Sequence, residues 1–290
     1  MSFQILTDSS CNLTEDVIEQ LGLHIVSLAY IMGDEEKFSY VKGQVFNHKE
    51  FYDALKAKIS AKTSQVTPEQ AREVARPVLE GGNDLLYVGF SSGLSGTYNA
   101  VCVALKELQE EFADRKILFV DTLAASAGQA HFVRQACKMR DEGKAIEEAH
   151  RWIEDNKMNM CHVFTVDDLW HLQRGGRISV GKAFVGSLLS VKPILIVNNE
   201  GKLVPVGRAK GRRKSLDTIL EKMAENIDLA LSDMVYILHS DAEADAEYMA
   251  GQIKERHEGL KPEIVYLEPV IGTHTGPGVA ALVFMGKTRE

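Results

Sequence analysis

Strand-like and helix-like patterns alternate along the first half of the chain, and this alternation limits the folds that are open to it. Three short apolar runs have the length of buried strands, and each precedes a segment with helical spacing of its apolar residues: residues 3–8, 85–90 and 116–122. This order predicts parallel strands joined by right-handed crossovers, and such sheets bind ligands beyond the carboxyl ends of their strands. Polar turns follow at all three ends: TDSS (7–10), SSGLSGT (91–97) and DT (121–122).

The turn SSGLSGT has the composition of an anion-binding site. It follows the apolar run LLYVGF and opens the amphipathic segment YNAVCVALKELQEEF. A helix start leaves backbone N–H groups unpaired and carries about half a positive elementary charge. Ser and Thr hydroxyls add donors, and Gly lets a ligand approach the backbone. We therefore expect the negative end of a ligand at this turn.

A second polar turn precedes a helix predicted for residues 67–79. Thr67 has the position of an N-cap, Pro68 that of the first helical residue, and Gln70 completes a capping box. The polar residues 63–65 come just before this cap. The sequence thus predicts a further group of hydroxyls beside a helix start.

The pattern changes after a helix predicted for residues 145–156, and we place a domain boundary near residue 160. Residues 192–209 predict two strands around a turn at 198–201, which is typical of an antiparallel hairpin. The expected domains are therefore residues 1–160 and residues 161–290, the second with a mixed sheet.

The last part of the chain predicts two strands separated by a loop. The apolar pattern assigns residues 262–272 to one strand and 279–286 to a final apolar stretch. The segment THTGPG, residues 273–278, is then the loop between them. Its glycines are expected to serve backbone shape.

Composition excludes several classes of protein. A net charge of −8 argues against a nucleic-acid binder. The start shows no basic region followed by an apolar stretch, and no apolar run approaches the roughly 18 residues that span a bilayer. Neither the four cysteines nor the nine histidines have metal-ligand spacing. We expect reduced thiols, no metal and a cytoplasmic protein without a transmembrane segment.

One span of the chain departs from the acidic average. Residues 174–214 contain ten Lys or Arg and a single acid, Glu200, so their local charge is +9. A solvated surface hairpin would explain such a run. A docking patch for an acidic protein partner is the functional alternative.

Two motifs for catalysis are incomplete. The string GRISVGK, residues 176–182, resembles a phosphate-binding P-loop, but Ala183 stands where the magnesium-binding hydroxyl belongs and a helix precedes it instead of a strand. A serine hydrolase could use Ser95 as nucleophile and His274 as base, with Asp8 or Asp121 as orienter. The segment GLSGT ends in Thr where the nucleophile elbow requires its last glycine. This hydrolase remains the alternative function.

The same residues can bind instead of react. A carboxylate offers about four acceptor positions, which two hydroxyls, helix-start N–H groups and one imidazole would satisfy. In this hypothesis Ser95 and Thr63 are ligand-binding groups.

The motifs together resemble the DegV family of bacterial fatty-acid-binding proteins. Those that carry the resemblance occur in one order from Phe3 to about Met285: TDSS at 7–10, TSQVTP at 63–68, SSGLSGTYNA at 91–100, DT at 121–122, LQRGGRI at 172–178, KP at 192–193 and GTHTGPG at 272–278. Many members have Pro directly after TSQ, where this chain has Val66. Pro68 keeps the turn here but can shift it.

The resemblance implies both a fold and a binding site. The fold is a three-layer α/β/α domain with a parallel sheet, followed by a two-layer α/β domain with a mixed sheet, and one long-chain fatty acid lies at or near their junction. The carboxylate is expected at Thr63, Ser95 and the backbone of Gly96, with His274 at the polar end and Arg208 as a neighbour. No cofactor is implied beyond the bound fatty acid.

The resemblance also implies a partner. Such a protein is the acyl carrier subunit of a two-component fatty acid kinase and presents the carboxylate to a separate ATP-binding protein, which forms acyl-phosphate. It has no ATP site and is no enzyme by itself, although His274 could assist transfer. The expected docking residues are Arg174, Arg177, Arg212 and Arg213. A lipid-responsive regulator that works without a kinase is a further alternative.

Overall fold

The computed structural model describes residues 3–167, 169–178 and 191–290. The strands in these ranges are β1 (Phe3–Asp8), β2 (His24–Val26), β3 (Ala29–Met32), β4 (Glu35–Phe38), β5 (Ala61–Ser64), β6 (Asp84–Gly89), β7 (Ile117–Asp121), β8 (Met160–Thr165), β9 (Val191–Val197), β10 (Leu203–Lys210), β11 (Met234–His239), β12 (Lys261–Tyr266) and β13 (Ala280–Met285). The helices are α1 (Glu15–Leu21), α2 (His48–Lys56), α3 (Pro68–Glu80), α4 (Thr97–Glu111), α5 (Ala127–Asp141), α6 (Ile146–Asn156), α7 (Trp170–Arg174), α8 (Arg212–Asn226), α9 (Glu243–Arg256) and α10 (Pro269–Thr275).

The chain forms two compact units. The first unit comprises Met1–Ile31, Glu36–Phe46 and Thr63–Lys157, and the second comprises Met32–Glu35, Asn47–Lys62 and Met158–Glu290. The main division thus follows Lys157. The helix α2 belongs to the second unit, where the Tyr52 hydroxyl donates to the Leu267 carbonyl at 3.0 Å.

The first unit contains the predicted parallel sheet. Its strand order is β2-β1-β6-β7, and every neighbouring pair is parallel. Apart from Gln4 in β1 and Asp84 in β6, the residues of these two strands are buried. Burial on both sides is typical of a sheet covered by helices on both faces. The helices form two packed pairs, α3 with α4 and α5 with α6, and both pairs contact the sheet.

The second unit contains the predicted mixed sheet. Its order is β10-β9-β8-β13-β11-β12, with β11 and β12 parallel and the other neighbours antiparallel. The predicted hairpin is formed by β9 and β10, with an irregular register between Pro205 and Gly207. Apolar residues of α8 and α9 pack against one face of the sheet and form a buried core with it. A small third sheet has the order β4-β3-β5.

One predicted strand is wrong in its second half. The strand expected over residues 262–272 ends at Tyr266, and residues Pro269–Thr275 form α10 instead. The Glu268 carboxylate accepts hydrogen bonds from the backbone N–H groups of Val270 and Ile271, both at 2.7 Å. Pro269 suits the first helical position because it has no N–H to leave unpaired. His274 therefore lies on a helix and not in a loop.

The helix after β7 does not begin at the strand end. It starts at Ala127, and residues 122–126 form an irregular turn. Leu123 and Ser126 each have a φ of 51°. This conformation is costly for residues with a side chain and interrupts a helical path.

Candidate functional site

The Ser95 turn has a defined hydrogen-bond pattern in the first unit. It runs from the end of β6 to Gly96, the N-cap of α4. The Ser95 hydroxyl donates to Thr97 Oγ1 at 3.0 Å and accepts from the Thr97 N–H at 3.2 Å. The Ser91 carbonyl accepts from the N–H groups of Leu94, at 3.1 Å, and Ser95, at 3.2 Å. These bonds hold the Ser95 side chain at the start of a 15-residue helix.

The turn of residues 63–65 lies against this helix start. The backbone N–H of Val66 donates to Thr97 Oγ1 at 3.4 Å. A Cβ atom on Gly96 would overlap the side-chain amide of Gln65. Gly96 has an ordinary φ of −72°, so close approach explains this glycine and backbone conformation does not. The structure thus brings the two predicted polar turns together within the first unit.

Thr63 lies at the end of β5, directly before this contact. Its side chain is half-buried, as is that of Ser95. The helix that follows forms the predicted capping box. The Thr67 hydroxyl accepts from the Gln70 N–H at 3.3 Å, and Gln70 Oε1 accepts from the Thr67 N–H at 2.8 Å. The helix start beside Thr63 is therefore as expected.

Asp8 joins the ends of β1 and β6, next to the Ser95 turn. Its fully buried carboxylate accepts from four donors: Phe90 N–H at 3.0 Å, Ser10 N–H at 3.1 Å, Gln129 Nε2 at 3.1 Å and Tyr87 Oη at 3.2 Å. Burial raises the pKa of Asp8, while these hydrogen bonds act in the opposite direction. A carboxylate has about four acceptor positions, so none remains for an imidazole. Asp8 is therefore unsuited to orient a catalytic histidine.

Asp121 has a similar structural role at the end of β7. Its Oδ1 accepts from the N–H groups of Leu123 at 3.0 Å and Ser92 at 3.3 Å. The Ser91 N–H donates to the Ala124 carbonyl at 3.0 Å. These bonds join the end of β7 to the beginning of the Ser95 turn.

His274 lies in the last turn of α10, in the second unit. Its imidazole packs against Gly175, at the end of α7, so closely that a Cβ there would overlap Nδ1. Burial and the neighbouring guanidinium groups of Arg177 and Arg174 lower the pKa of His274 to about 3. The imidazole is therefore neutral at pH 7.

The other residue expected in the second unit is Arg208. It lies on β10, is exposed, and pairs in register with Pro193 of the KP motif. The predicted site residues are thus divided between the units. Thr63, Ser95 and Gly96 belong to the first, and Arg208 and His274 to the second.

The four expected docking arginines have different surroundings. The Arg174 guanidinium lies 4.6 Å from the ring centroid of Trp170, and that of Arg213 lies 3.1 Å from the ring centroid of Tyr248. Arg174 and Arg213 are exposed, whereas Arg177 is half-buried and donates to the Gly175 carbonyl at 2.5 Å.

The charge of Arg212 is paired. It forms an ion pair with Asp245 at 2.7 Å, and its Nη1 lies 3.8 Å from Asp167. Lys192, in the same basic span, pairs with Asp167 at 2.9 Å. Both acids lie outside residues 174–214. The charge count of that span therefore overstates the basicity of the surface.

Sequence reasoning missed the residues that hold His274. Gly175 stood in the LQRGGRI motif without a role of its own, and neither Tyr52 nor His171 was singled out. Both rings pack on glycines of the GTHTGPG segment, Tyr52 on Gly272 and His171 on Gly276. The number of glycines in this motif and in LQRGGRI was the available signal for close packing.

Neither a metal-binding cluster nor a membrane-spanning helix lies within the described residues. No group of three or more His, Cys, Asp or Glu residues there is placed to hold a metal ion. No helix within residues 3–167, 169–178 and 191–290 combines the length and the apolar character needed to cross a bilayer. The four cysteines are buried free thiols.

The two large sheets and the glycine-rich polar turns define the class of the protein: a two-domain α/β protein with a hydrogen-bonded serine turn at the carboxyl end of a parallel sheet. A family model described as "Uncharacterised protein, DegV family" matches residues 2–287, and the chain belongs to the DegV family.

Individual relatives match over their whole length. A DegV domain-containing protein of Clostridium perfringens is 40% identical over 288 residues, which are 99% of each chain. Among solved structures, a fatty acid binding DegV family protein from Streptococcus agalactiae is 29% identical, with a TM-score of 0.85 over 99% of this chain and 100% of the other. DegV, a fatty acid binding protein from Bacillus subtilis, is 27% identical, with a TM-score of 0.83 and the same coverage.

Proposed function

We propose that this protein binds a long-chain fatty acid and that the hydroxyls of Thr63 and Ser95, with the backbone at Gly96, hold the carboxylate. The observation that carries this proposal is the contact of two polar turns in the first unit, where Gly96 admits Gln65 and the Val66 N–H reaches Thr97. Hydroxyls and the backbone N–H groups at a helix start are suitable donors for an anion. Fatty acid binding by similar DegV proteins supports the choice of ligand.

The acyl chain supplies most of the expected affinity. Burial of about 14 methylenes at roughly 0.8 kcal/mol each contributes on the order of 11 kcal/mol, offset by the lost freedom of chain and ligand. The carboxylate-binding groups then fix which end of the ligand is polar. Loss of one hydroxyl should weaken binding without abolishing the apolar contribution.

His274 and Arg208 complete the proposal from the second unit. A neutral imidazole can donate one hydrogen bond to a carboxylate, and the lowered pKa of His274 favours this form. Arg208 offers an exposed charge for the same anion or for a partner. Both roles are predictions of the family resemblance.

We further propose that the bound carboxylate is presented to a separate ATP-dependent kinase for acyl-phosphate formation. The sequence offers no complete nucleotide motif, in agreement with such a division of labour. Of the four expected docking residues, Arg174 and Arg213 are exposed and Arg212 is paired with Asp245, so the first two should contribute most. The partner surface would be acidic.

Charge reversal tests the docking surface. Arg174→Glu and Arg213→Glu should slow partner-dependent acyl-phosphate formation, while Lys138→Glu, on α5 of the first unit, should not. Bound fatty acid is measured in each variant to separate docking from ligand loss. Unchanged acyl-phosphate formation in both arginine variants would show that this surface does not dock the kinase.

Solvent extraction followed by mass spectrometry tests ligand binding itself. The purified protein should release a stoichiometric fatty acid, and Thr63→Ala and Ser95→Ala should release much less. Ser92→Ala, in the same turn, is the matched control and should release the wild-type amount. An empty wild-type protein that takes up no added fatty acid would overturn the proposal. Covalent labelling of Ser95 by a serine-directed phosphonate would then favour the hydrolase.

A further inference from the structure

Two glycines beside His274 are not explained by backbone conformation. Gly176, Gly276 and Gly278 have φ values of 70°, 72° and 84°, which favour glycine. Gly175 has a φ of −73°, and Gly272 lies inside α10. Neither position requires a conformation that favours glycine, so at both the absence of a side chain must serve another purpose.

Gly175 is required by the position of the imidazole. A Cβ atom there would overlap His274 Nδ1, and it would also lie 3.2 Å from the His171 carbonyl oxygen. The ring therefore rests directly on the backbone at the end of α7. Arg177 donates to the carbonyl of the same glycine at 2.5 Å, which keeps its positive charge beside the ring.

Gly272 is required by the contact between α10 and α2. A Cβ there would overlap the Tyr52 hydroxyl and lie 2.9 Å from Phe51 Cε1. Tyr52 is fully buried, and its hydroxyl is fixed by the hydrogen bond to the Leu267 carbonyl at 3.0 Å. Its ring also packs edge to face on Phe51, with centroids 5.0 Å apart. These rings have little freedom to move aside.

The ends of the same helix are also fixed. Glu268 caps its N-terminus with two hydrogen bonds of 2.7 Å, and the His171 ring fills the space beside Gly276 after its C-terminus. The seven-residue α10 is thus in contact with α2 at Gly272 and with α7 at His274. A helix held in this way can accommodate an added methyl group only by giving up some of these contacts.

We propose that Gly175 and Gly272 are positioning residues for His274: the first sets where the imidazole lies, and the second sets the depth at which α10 packs against Tyr52. The use made of this position rests on the proposed fatty acid function. The packing itself does not depend on it. An added methyl group at Gly175 pushes the ring away from the backbone, whereas one at Gly272 displaces the whole helix.

Nuclear magnetic resonance of the His274 ring tests the proposal without any ligand. In the wild type the ring should stay neutral from pH 8 to pH 5, because its pKa is about 3. In Gly175→Ala the displaced ring should titrate nearer the ordinary value of about 6.5. Gly272→Ala should shift the ring resonances as well. Gly251→Ala in α9 is the control, because no atom lies within 4 Å of the added Cβ.

A double-mutant cycle connects the packing to ligand retention. Gly175→Ala should weaken fatty acid binding about ten-fold or more, the effect of losing one hydrogen bond to a charged group. In the His274→Ala background the same substitution should have no further effect, since the ring it would displace is absent. An equal additional loss in that background would show that Gly175 acts independently of His274.

Each outcome of these experiments either supports or overturns the positioning role of the two glycines. Wild-type titration and resonances of His274 in both glycine variants would overturn the proposal. If Gly175→Ala does not fold, recovery of folding in Gly175→Ala with His274→Ala supports it, and persistent misfolding overturns it. If the wild type holds no fatty acid but its His274 responds as expected, the proposed function fails and the positioning role stands.

Discussion

The two units place their candidate site residues on different kinds of structure. In the first unit, Ser95 stands in a turn after β6 and Thr63 stands at the end of β5. Backbone N–H groups and hydroxyls determine the geometry of the Ser95 turn, mostly through hydrogen bonds within the turn itself. In the second unit, His274 stands on a short helix whose position depends on side chains packed against glycines. This second arrangement requires three segments that are distant in sequence.

Glycine shows this contrast most directly. Gly96 lets a neighbouring loop approach a helix start, so the same turn supplies donors and space. Gly175 lets the side chain of His274, which is distant in sequence, pack directly on the end of α7. A hydroxyl turn is thus recognisable from its own residues, whereas the place of the imidazole is recognisable only with its neighbours.

The largest effect should come from the strand ends of the first unit. Asp8→Ala removes the acceptor of four hydrogen bonds and leaves buried donors unsatisfied, so we expect the free energy of unfolding to fall by about 3 kcal/mol or more. Urea denaturation followed by circular dichroism measures it. The exposed Asp114→Ala should change nothing measurable. An equally stable Asp8→Ala would contradict the role assigned to this carboxylate.

A smaller effect is expected at the helix caps, where one cap in each unit can be compared. Glu268→Ala leaves the N–H groups of Val270 and Ile271 without their acceptor and should lower the free energy of unfolding by about 2 kcal/mol. Thr67→Ala, at the exposed cap of α3, should cost about 1 kcal/mol. Thermal and urea unfolding of both variants measure the order. The reverse order would show that the cap of α10 adds little.

The pH dependence of stability should have opposite signs in the two units. The pKa of His274 is lowered to about 3 in the folded state, so the unfolded chain binds the proton more readily and stability falls as pH drops below about 6.5. The pKa of Asp8 is raised, so its contribution favours the folded state below its unfolded pKa and is lost as pH rises through the folded value.

Unfolding free energies between pH 7 and pH 4.5 separate the two contributions. Relative to the wild type, His274→Gln should lose less stability on acidification. Asp8→Asn should lose more, because it lacks the compensating protonation. Parallel curves for the wild type and both variants would contradict these signs.

The smallest effect is expected at Thr14, which has the position of an N-cap before α1. Unlike Thr67, its hydroxyl makes no capping hydrogen bond. Thr14→Ala should therefore leave the free energy of unfolding within about 0.5 kcal/mol of the wild type. A loss comparable to that of Thr67→Ala would mean that the capping geometry of α1 is stronger than its hydrogen bonds indicate.

Much of the first unit follows from its sequence because its signals are local. The parallel sheet and the capping box at Thr67 rest on the alternation of strands and helices and on residues that are close in sequence. The irregular turn before α5 does not follow in this way. Ser126 adopts its φ of 51° against its own preference, and only tertiary contacts can maintain such a conformation.

The second unit shows where such reasoning ends. Val270 and Ile271 are apolar in a strand and in a helix alike, and the Glu268 cap decides between the two. The charge of Arg212 is paired with Asp245, which lies outside the basic span. The helix α2 belongs to the second unit, where Tyr52 donates a hydrogen bond to the carbonyl of Leu267, 215 residues away in sequence.

The sequence by itself determined the alternation of strands and helices, the mixed second sheet, the polar turns and the family, because periodicity, caps and motif order are properties of neighbouring residues. Only the tertiary structure decided that α2 belongs to the second unit, that His274 lies on a helix and that its imidazole rests on Gly175. These features depend on close packing and desolvation between distant segments, and neither is recorded in local sequence.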